Sequence, residues 1–291
     1  MTRFIERDYS RTAQDALIQE GFAPALARAL AARGVVSAAE LKADWRSMLA
    51  PDSLPGANDA ARLLANAIED KKRIMIIADY DCDGATACAV AIRGLRAMGA
   101  QVDYLVPDRF VYGYGLTPAI VDLASTHKPD ILLTVDNGMA SIDGVARAKA
   151  LGIETIITDH HLPADQLPQA ACIVNPNAPG CVFGSKNLAG VGVMFYVLMA
   201  LRAEMRARGH FDVKTQPRLD ELVDLVALGT VADVVKLDHN NRILVTQGLN
   251  RIRAGHINPG LRALLEIAGR PCVKARVQDF GFAIAPRINA A

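Results

Sequence analysis

Short apolar runs alternate with helical segments through the middle of the chain. The segments between the runs, at 85–98, 118–125 and 142–150, place apolar residues at helical spacing. Strands that are apolar on both faces and separated by helices are typical of a parallel sheet covered on both sides. The sequence therefore predicts an α/β fold with a mainly parallel, doubly wound sheet and flanking helices. The predicted strands are 74–78, 102–106, 131–135, 153–158 and 172–174.

Both ends of the chain have a helical pattern. Before residue 72 the apolar spacing predicts helices at 25–32 and 60–68, and turn residues cluster again near 258–260 and 268–271. We therefore expect a helical N-terminal region (1–72), a central α/β domain (73–256) and a helical C-terminal extension (257–291). Further helices are predicted at 188–208, 219–228, 241–253 and 260–267.

Composition and charge exclude several classes of protein. The 291 residues are 51% hydrophobic and 22% charged, which is typical of an ordinary globular protein, and the net charge is only +1. A nucleic-acid partner would therefore need a local groove with a few cations and bound metal ions. The N-terminus lacks a signal-peptide pattern, and the apolar stretch 188–201 is too short for a comfortable membrane span. The five scattered cysteines favour free thiols, so we expect a protein of the reducing cytoplasm without membrane contact.

Three carboxylates follow the first predicted strand at alternate positions. Asp79, Asp81 and Asp83 precede Gly84, which permits a tight turn into a helix. In an extended segment alternate residues share a face, so these carboxylates could converge on one cation. The alternative is one helix-capping aspartate beside two solvated ones. The position directly after a buried strand favours metal binding.

Three further groups of polar residues lie at similar positions. Asp136 ends a strand within Val-Asp-Asn-Gly, where a simple turn is the competing interpretation. Asp159, His160 and His161 end the next strand, and Asp159 could orient a neighbouring imidazole. Asp233 interrupts an apolar stretch, where a helix cap competes with metal binding.

Together these groups indicate one site. In a doubly wound sheet the ligand site lies beyond the carboxyl ends of the strands, where most of these residues fall. Carboxylates with imidazoles and no thiolates suit Mn²⁺ or Mg²⁺, and four or more acids need more than one cation. The sequence therefore predicts a two-ion site for phosphoryl hydrolysis.

The ordered motifs of the chain resemble those of the DHH phosphoesterases. Within that superfamily the chain is similar to the members that degrade single-stranded DNA from the 5′ end, and the similarity covers nearly all of the chain from about residue 20. The motifs are Asp-Tyr-Asp-Cys-Asp-Gly (79–84), Val-Asp-Asn-Gly (135–138), Asp-His-His (159–161) and Gly-Thr-Val-Ala-Asp-Val-Val (229–235). They are joined by Val-Pro-Asp-Arg (106–109), Gly-Tyr-Gly (113–115), Val-Asn-Pro-Asn (174–177), Ser-Lys-Asn-Leu-Ala-Gly-Val-Gly (185–192) and Ala-Pro-Arg-Ile-Asn-Ala-Ala (285–291).

The resemblance implies a role for each residue. His161 would face the scissile phosphate, Asp159 would be structural, and Arg109, Arg287 and Asn289 would bind nucleic acid. The two ions would be Mn²⁺ or Mg²⁺, with Asp136 bridging them and Asp79 as a further candidate ligand. The implied ligands are Asp81, Asp83, Asp136, His160 and Asp233.

The resemblance also implies an activity and partners. It implies a 5′→3′ exonuclease of single-stranded DNA in recombination and repair, with single-strand-binding protein and a recombination helicase as protein partners. Ile77 stands where many family members have a histidine ligand, so the first ion would either be held more weakly or recruit Asp79. Residues 73–256 would form the DHH domain, and 257–291 a linker helix and the start of a second, DHHA1 domain. Without the rest of that domain we expect weak activity. The alternatives are a phosphodiesterase of cyclic dinucleotides or short oligonucleotides, and a non-catalytic scaffold.

Overall fold

The computed structural model describes residues 5–291, without the side chains of residues 109 and 110. The strands are β1 (Arg73–Ala78), β2 (Gln101–Leu105), β3 (Ile131–Val135), β4 (Glu154–Thr158) and β5 (Cys172–Val174). The helices before β4 are α1 (Arg11–Gln19), α2 (Pro24–Ala31), α3 (Ala57–Glu69), α4 (Cys82–Ala97), α5 (Arg109–Tyr112), α6 (Pro118–Ser125) and α7 (Ile142–Ala150). The later helices are α8 (Gly190–Ala207), α9 (Val223–Ala232), α10 (His239–Arg253), α11 (Pro259–Ile267), α12 (Val277–Asp279) and α13 (Ala285–Asn289), with a π-helical turn at Phe280–Ile284.

The five strands form one parallel sheet in the order β2-β1-β3-β4-β5. The chain steps from β1 outward to β2 and then returns to the other side of β1 as β3. The strand order therefore reverses between β1 and β3, and a crevice opens there at the carboxyl ends of the strands. This crevice is where the residues after Ala78 and Val135 come together.

Helices cover both faces of the sheet because the strand residues point alternately to each side. Ile74 and Ile76 of β1 pack with α3, α4 and α8 on one face. Met75 and Ile77 pack with α6 and α7 on the other. A strand that buries both faces must be apolar throughout, which explains the continuous hydrophobic runs in the sequence.

Helix α8 lies in the centre of the larger core. Most of its residues are buried, and it packs against α3 and α4. At the α4 contact a β-carbon on Gly94 would lie 2.4 Å from Leu198 Cδ1, so the close approach of the two helices requires glycine. This packing fixes the direction in which the N-terminus of α8 points.

The two ends of the chain form separate hydrophobic clusters. Helices α1 and α2 bury Leu17 and Ala27 against each other. At the other end, residues 261–285 pack on α9 and α10 in a cluster that also includes Cys82. The C-terminal residues therefore share a hydrophobic cluster with the residue that begins α4.

The predicted fold class is confirmed, and the differences lie at element boundaries. Helix α4 begins at Cys82 rather than at 85, and α9 continues to Ala232 rather than ending at 228. Helix α1 lies in the N-terminal region that was expected to be helical, but the sequence did not predict it as a separate helix. In the described part of the chain no helix combines the length and the hydrophobicity needed to cross a bilayer.

Candidate metal centre

The loop after β1 turns directly into α4 and places two carboxylates in its first turn. Asp81 is the N-cap, and its Oδ1 accepts a hydrogen bond from Gly84 N at 2.9 Å. Asp83 follows within the helix and is almost fully buried. The prediction that alternate carboxylates share one face of an extended segment is therefore wrong for Asp83, which lies within the helix. Asp79 and Asp81 do come together, in a group with Asp136.

Glycine is required where this loop closes on itself. A β-carbon on Gly84 would lie 2.4 Å from the backbone oxygen of Asp79. No side chain fits at that distance, so the backbone can fold tightly only with glycine. Gly84 itself lies in the first turn of α4, and its lack of a side chain lets the loop at Asp79 close against the helix.

The buried carboxylate of Asp83 lies at the N-terminus of α8. Its Oδ2 accepts from Gly190 N at 2.6 Å, and its Oδ1 accepts from Val191 N at 3.0 Å. The first amides of a helix have no partner within the helix, and they carry partial positive charge. Burial nevertheless raises the pKa of Asp83 well above its usual value, and the nearby Asp136 and Asp233 raise it further. The two amides therefore do not supply enough positive charge to offset the burial of the Asp83 carboxylate and its repulsion by Asp136 and Asp233.

Asp136 and His160 face each other with buried atoms that lack hydrogen-bond partners in the described structure. Asp136 Oδ1 lies 3.1 Å from His160 Nε2, and neither atom has hydrogen-bond geometry with any partner. Burial raises the pKa of Asp136 well above its usual value, and Asp81 and Asp159 add to the increase. Asp136 has a φ of 63°, in the left-handed region that aspartate tolerates better than most residues.

Asp233 completes this side of the centre from the end of α9, where it is the C-cap residue. Its Oδ2 lies 3.6 Å from His160 Nε2, and Asp83 Oδ2 lies 3.9 Å from the same nitrogen. Burial raises the pKa of Asp233 as well. One imidazole nitrogen is therefore surrounded by carboxylate oxygens of three residues.

The candidate ligand atoms form overlapping groups, each with all its atoms within 4.8 Å of one another. One group is Asp79, Asp81 and Asp136, and another is Asp83, His160 and Asp233. Asp136 and His160 also form a group with His161. Buried, unpaired oxygen and nitrogen atoms with elevated carboxyl pKa values are typical of a cation site. Oxygen-rich groups with one imidazole fit Mn²⁺ or Mg²⁺.

Asp159 is buried and accepts hydrogen bonds from both histidines that follow it in the chain. Its Oδ1 accepts from the backbone amide of His160 at 2.7 Å and from His161 Nδ1 at 2.7 Å, and its Oδ2 accepts from Met139 N at 2.8 Å. Burial alone would raise the pKa of Asp159, but the hydrogen bonds from His161 and Met139 lower it overall. The same contact with Asp159 raises the pKa of His161. The aspartate therefore orients His161 and favours its charged form.

The second histidine faces an open cleft. His161 Nε2 lies 3.5 Å from the hydroxyl of Tyr114, and 57% of the Tyr114 surface is exposed. A cleft of about 500 Å³ begins here and is lined by Tyr114, Ser141, Asp159, His161, Leu162 and Gln166, among others. Burial raises the pKa of the Tyr114 hydroxyl, and the surrounding aspartates add to the increase. The hydroxyl therefore stays protonated beside the imidazole.

The residues predicted to bind nucleic acid lie in different surroundings. Arg109 begins α5, but its side chain is outside the described part of the structure. Arg287 is exposed, and its Nη1 donates to Ala283 O. Asn289 lies beside the loop that carries Asp81 and Asp83, where its Oδ1 accepts from Cys82 N at 2.8 Å.

Two contributors were missed in the sequence. Gly190 and Val191 supply amides to Asp83, yet the segment 185–192 entered only as part of a resemblance. The sequence signal for this role is weak: Gly190 begins a long apolar helix whose own N-cap residue supplies no capping side chain. The role of Gly190 depends on Asp83, which lies more than 100 residues earlier in the chain.

Comparisons with known proteins agree with this geometry. The sequence model described as "DHH family, N-terminal domain" matches residues 73–230. The single-stranded-DNA-specific exonuclease RecJ of Salmonella typhimurium is 52% identical over 271 residues, which cover 92% of this chain and 47% of that protein. The chain thus spans about half the length of the curated relatives it matches.

Solved structures give the same result. RecJ from Thermus thermophilus in complex with Mn²⁺ has a TM-score of 0.76 and 34% identity, covering 97% of this chain and 38% of that one. The Mg²⁺ complex from the same organism has a TM-score of 0.66 and 32% identity, covering 97% and 35%. Both metals named in these complexes are ones that the ligand set here fits.

Proposed function

The chain belongs to the DHH family, and on this premise we propose that it forms the metal-binding part of a 5′→3′ exonuclease of single-stranded DNA. The observation that carries the proposal is the pair of buried, unpaired atoms Asp136 Oδ1 and His160 Nε2, which are surrounded by further carboxylates. A scaffold protein would have no reason to retain such a costly arrangement. Similarity to RecJ over 92% of the chain supports the choice of substrate.

Two divalent ions, Mn²⁺ or Mg²⁺, would be held by overlapping sets of residues. Asp79, Asp81 and Asp136 would hold one ion, and Asp83, Asp136, His160 and Asp233 the other. When bound, such ions lower the pKa of an attacking water and neutralise charge on the phosphate. Asp79 takes the place of the ligand that Ile77 cannot provide.

The chain's own residues prepare the site for a phosphate. Asp159 fixes the His161 ring through Nδ1 and raises its pKa, so the imidazole can present a positive charge to the cleft. A phosphate oxygen beside His161 would gain a charge-assisted hydrogen bond as negative charge develops. His161 is therefore the proposed catalytic side chain, together with Asp136 at the junction of the two ligand sets.

Binding of a single strand would rely on backbone contacts and stacking. Tyr114 presents an exposed ring at the mouth of the cleft, and a base can stack on such a ring in any sequence. Arg109 and Arg287 would contact phosphates. This arrangement suits a protein whose net charge is only +1.

The proposal extends to domains, partners and compartment. We assign residues 1–72 to an N-terminal helical region, 73–256 to the DHH domain, and 257–291 to a linker helix and the start of a DHHA1 domain. The match that begins at residue 73 supports the first boundary. Recombination and repair would bring contact with single-strand-binding protein and a recombination helicase. The unpaired cysteines suit the cytoplasm.

The test is digestion of 5′-labelled oligonucleotides by the protein. We expect Mn²⁺-dependent release of 5′-mononucleotides from a long single strand, little digestion of duplex, and no activity in EDTA. Asp136→Ala and His160→Ala should abolish activity, whereas the exposed strand-edge variant Asp103→Ala should retain it. Normal digestion by Asp136→Ala would refute the site. Cleavage confined to dinucleotides would favour the small-substrate alternative.

A further inference from the structure

The first backbone amide of α4 is capped by a side chain from the far end of the chain. Asn289 Oδ1 accepts a hydrogen bond from Cys82 N at 2.8 Å, and the two residues are 207 positions apart. Cys82 stands between the proposed ligands Asp81 and Asp83. We propose that Asn289 is a positioning residue, which holds the start of α4 so that both carboxylates face the metal ions. This inference rests on the function proposed above.

A helix start requires such partners because its first amides have none within the helix. In α4 the side chain of Asp81 satisfies only the amide of Gly84. Asn289 satisfies the amide of Cys82, which belongs to the peptide group directly after Asp81. Because Asp81 and Cys82 share that peptide, Asn289 restrains the backbone from which the Asp81 carboxylate projects.

The side chain of Cys82 is held by the same part of the chain. It is buried in a cluster that includes Phe280, Ile284 and Ala285. The C-terminal residues therefore contact Cys82 twice, through apolar packing and through the Asn289 hydrogen bond. These are independent contacts, and both fix the same residue between two proposed ligands.

Asn289 thereby acts on metal affinity without binding the metal. Partners that orient a ligand typically contribute 10- to 100-fold to metal affinity. Asn289 is itself exposed, so water can replace its oxygen as an acceptor, but water cannot fix the position of the amide. We expect a loss at the lower end of this range, about 10-fold.

The test is Mn²⁺ binding to the full-length protein, measured by calorimetry and by electron paramagnetic resonance. Asn289→Ala should weaken Mn²⁺ binding about 10-fold. Asn289→Asp keeps an acceptor oxygen at the same reach and should restore wild-type or tighter affinity. Gln278→Ala, which changes an exposed amide in the same C-terminal segment, is the control and should bind as the wild type does.

Thermal unfolding in EDTA accompanies each variant to verify folding. If Asn289→Ala does not fold, Asn289→Ser replaces it. The serine side chain is too short for its oxygen to reach Cys82 N, so this variant should also bind Mn²⁺ more weakly than the wild type. If folded Asn289→Ala or Asn289→Ser bound Mn²⁺ as tightly as the wild type, the positioning role would be overturned. This holds whether or not the variant binds DNA more weakly. An absence of Mn²⁺ binding in the wild type would instead overturn the proposed function.

Discussion

The backbone of Gly190 lies directly against the carboxylate of Asp136. A β-carbon at this glycine would be 2.4 Å from Asp136 Oδ1 and 2.5 Å from Asp136 Cβ. The same residue donates its amide to Asp83 Oδ2 at 2.6 Å. The N-terminus of α8 therefore determines the positions of two carboxylates at once, although it contributes no side chain to the centre.

Substitution Gly190→Ala should disturb both carboxylates. The added methyl group must displace Asp136 or α8, and overpacking of this kind costs about 1–3 kcal/mol. We expect a lower free energy of unfolding in urea and a loss of Mn²⁺ binding measured by calorimetry.

The control for this substitution is Gly281→Ala. A β-carbon at Gly281 would be 3.7 Å from its nearest neighbour, a side-chain carbon of Val231, which is an ordinary contact. This variant should unfold and bind Mn²⁺ as the wild type does. Unchanged Mn²⁺ affinity in Gly190→Ala would show that the centre tolerates a shift of α8.

Asp136→Asn should stabilise the metal-free protein. The pKa of the buried Asp136 carboxyl is raised, so the folded state disfavours its charge. An amide has the same shape, carries no charge and tolerates the left-handed φ. At pH 7 in EDTA we expect a gain on the order of 1–3 kcal/mol, measured by urea unfolding. With Mn²⁺ present the order should reverse, because the ions stabilise only the wild type.

The gain from Asp136→Asn should depend on pH. A carboxyl with a raised folded pKa destabilises the fold above its unfolded value, near 3.9, and the penalty grows until pH passes the folded pKa. The difference between variant and wild type should therefore shrink as pH falls from 8 to 5. A constant difference would mean that Asp136 is not the group being neutralised.

The strand pattern was readable from the sequence, but the packing between distant segments was not. The apolar runs located β3 at 131–135 and β1 within one residue of its start. The rule that strand ends gather at one edge brought Asp136 and His160 to the same place. Local patterns carry this information because burial on both faces demands continuous hydrophobic residues.

Contacts made by the backbone have no comparable sequence signal. Nothing near Asp83 indicates that α8 will supply its hydrogen-bond donors. Nothing near Cys82 indicates that Asn289 will accept its amide hydrogen bond. The error about Asp83 has the same origin, since an aspartate at a strand end and one at a helix start look alike in sequence.

Asp159→Asn should lower the pKa of His161. Asp159 raises that pKa through a 2.7 Å hydrogen bond, and an amide oxygen offers no charge to the imidazolium. The variant should lose on the order of 1 kcal/mol of stability at mildly acidic pH, because solvent screens the half-exposed His161 side chain. The His161 part of this stabilisation is present below its unfolded pKa, near 6.5, and disappears as pH rises through the folded value.

The titration of His161 can be followed by NMR of its ring protons, with the exposed His256 as an internal reference. His161→Gln assigns the resonance. If the titration midpoint of His161 were the same in the wild type and in Asp159→Asn, the proposed interaction of Asp159 with His161 would be contradicted. Single-strand digestion by Asp159→Asn should fall most strongly at pH values between the lowered pKa of His161 in the variant and its raised pKa in the wild type, because only there does His161 differ in charge between the two proteins.

Val234 follows Asp233 with a φ of 62°, in a region where a β-branched side chain is strained. It stands just beyond the end of α9, where glycine is the usual residue. Val234→Gly should raise the free energy of unfolding by about 0.5–1 kcal/mol, because the relieved strain exceeds the greater flexibility of glycine in the unfolded chain. The matched control is Val182→Gly, since both valines are almost fully exposed, at 87% and 88%, and Val182 is not at a positive φ. That control should lose stability in the same urea titration. If both variants lost free energy of unfolding, the positive φ of Val234 would not be a source of strain that glycine relieves.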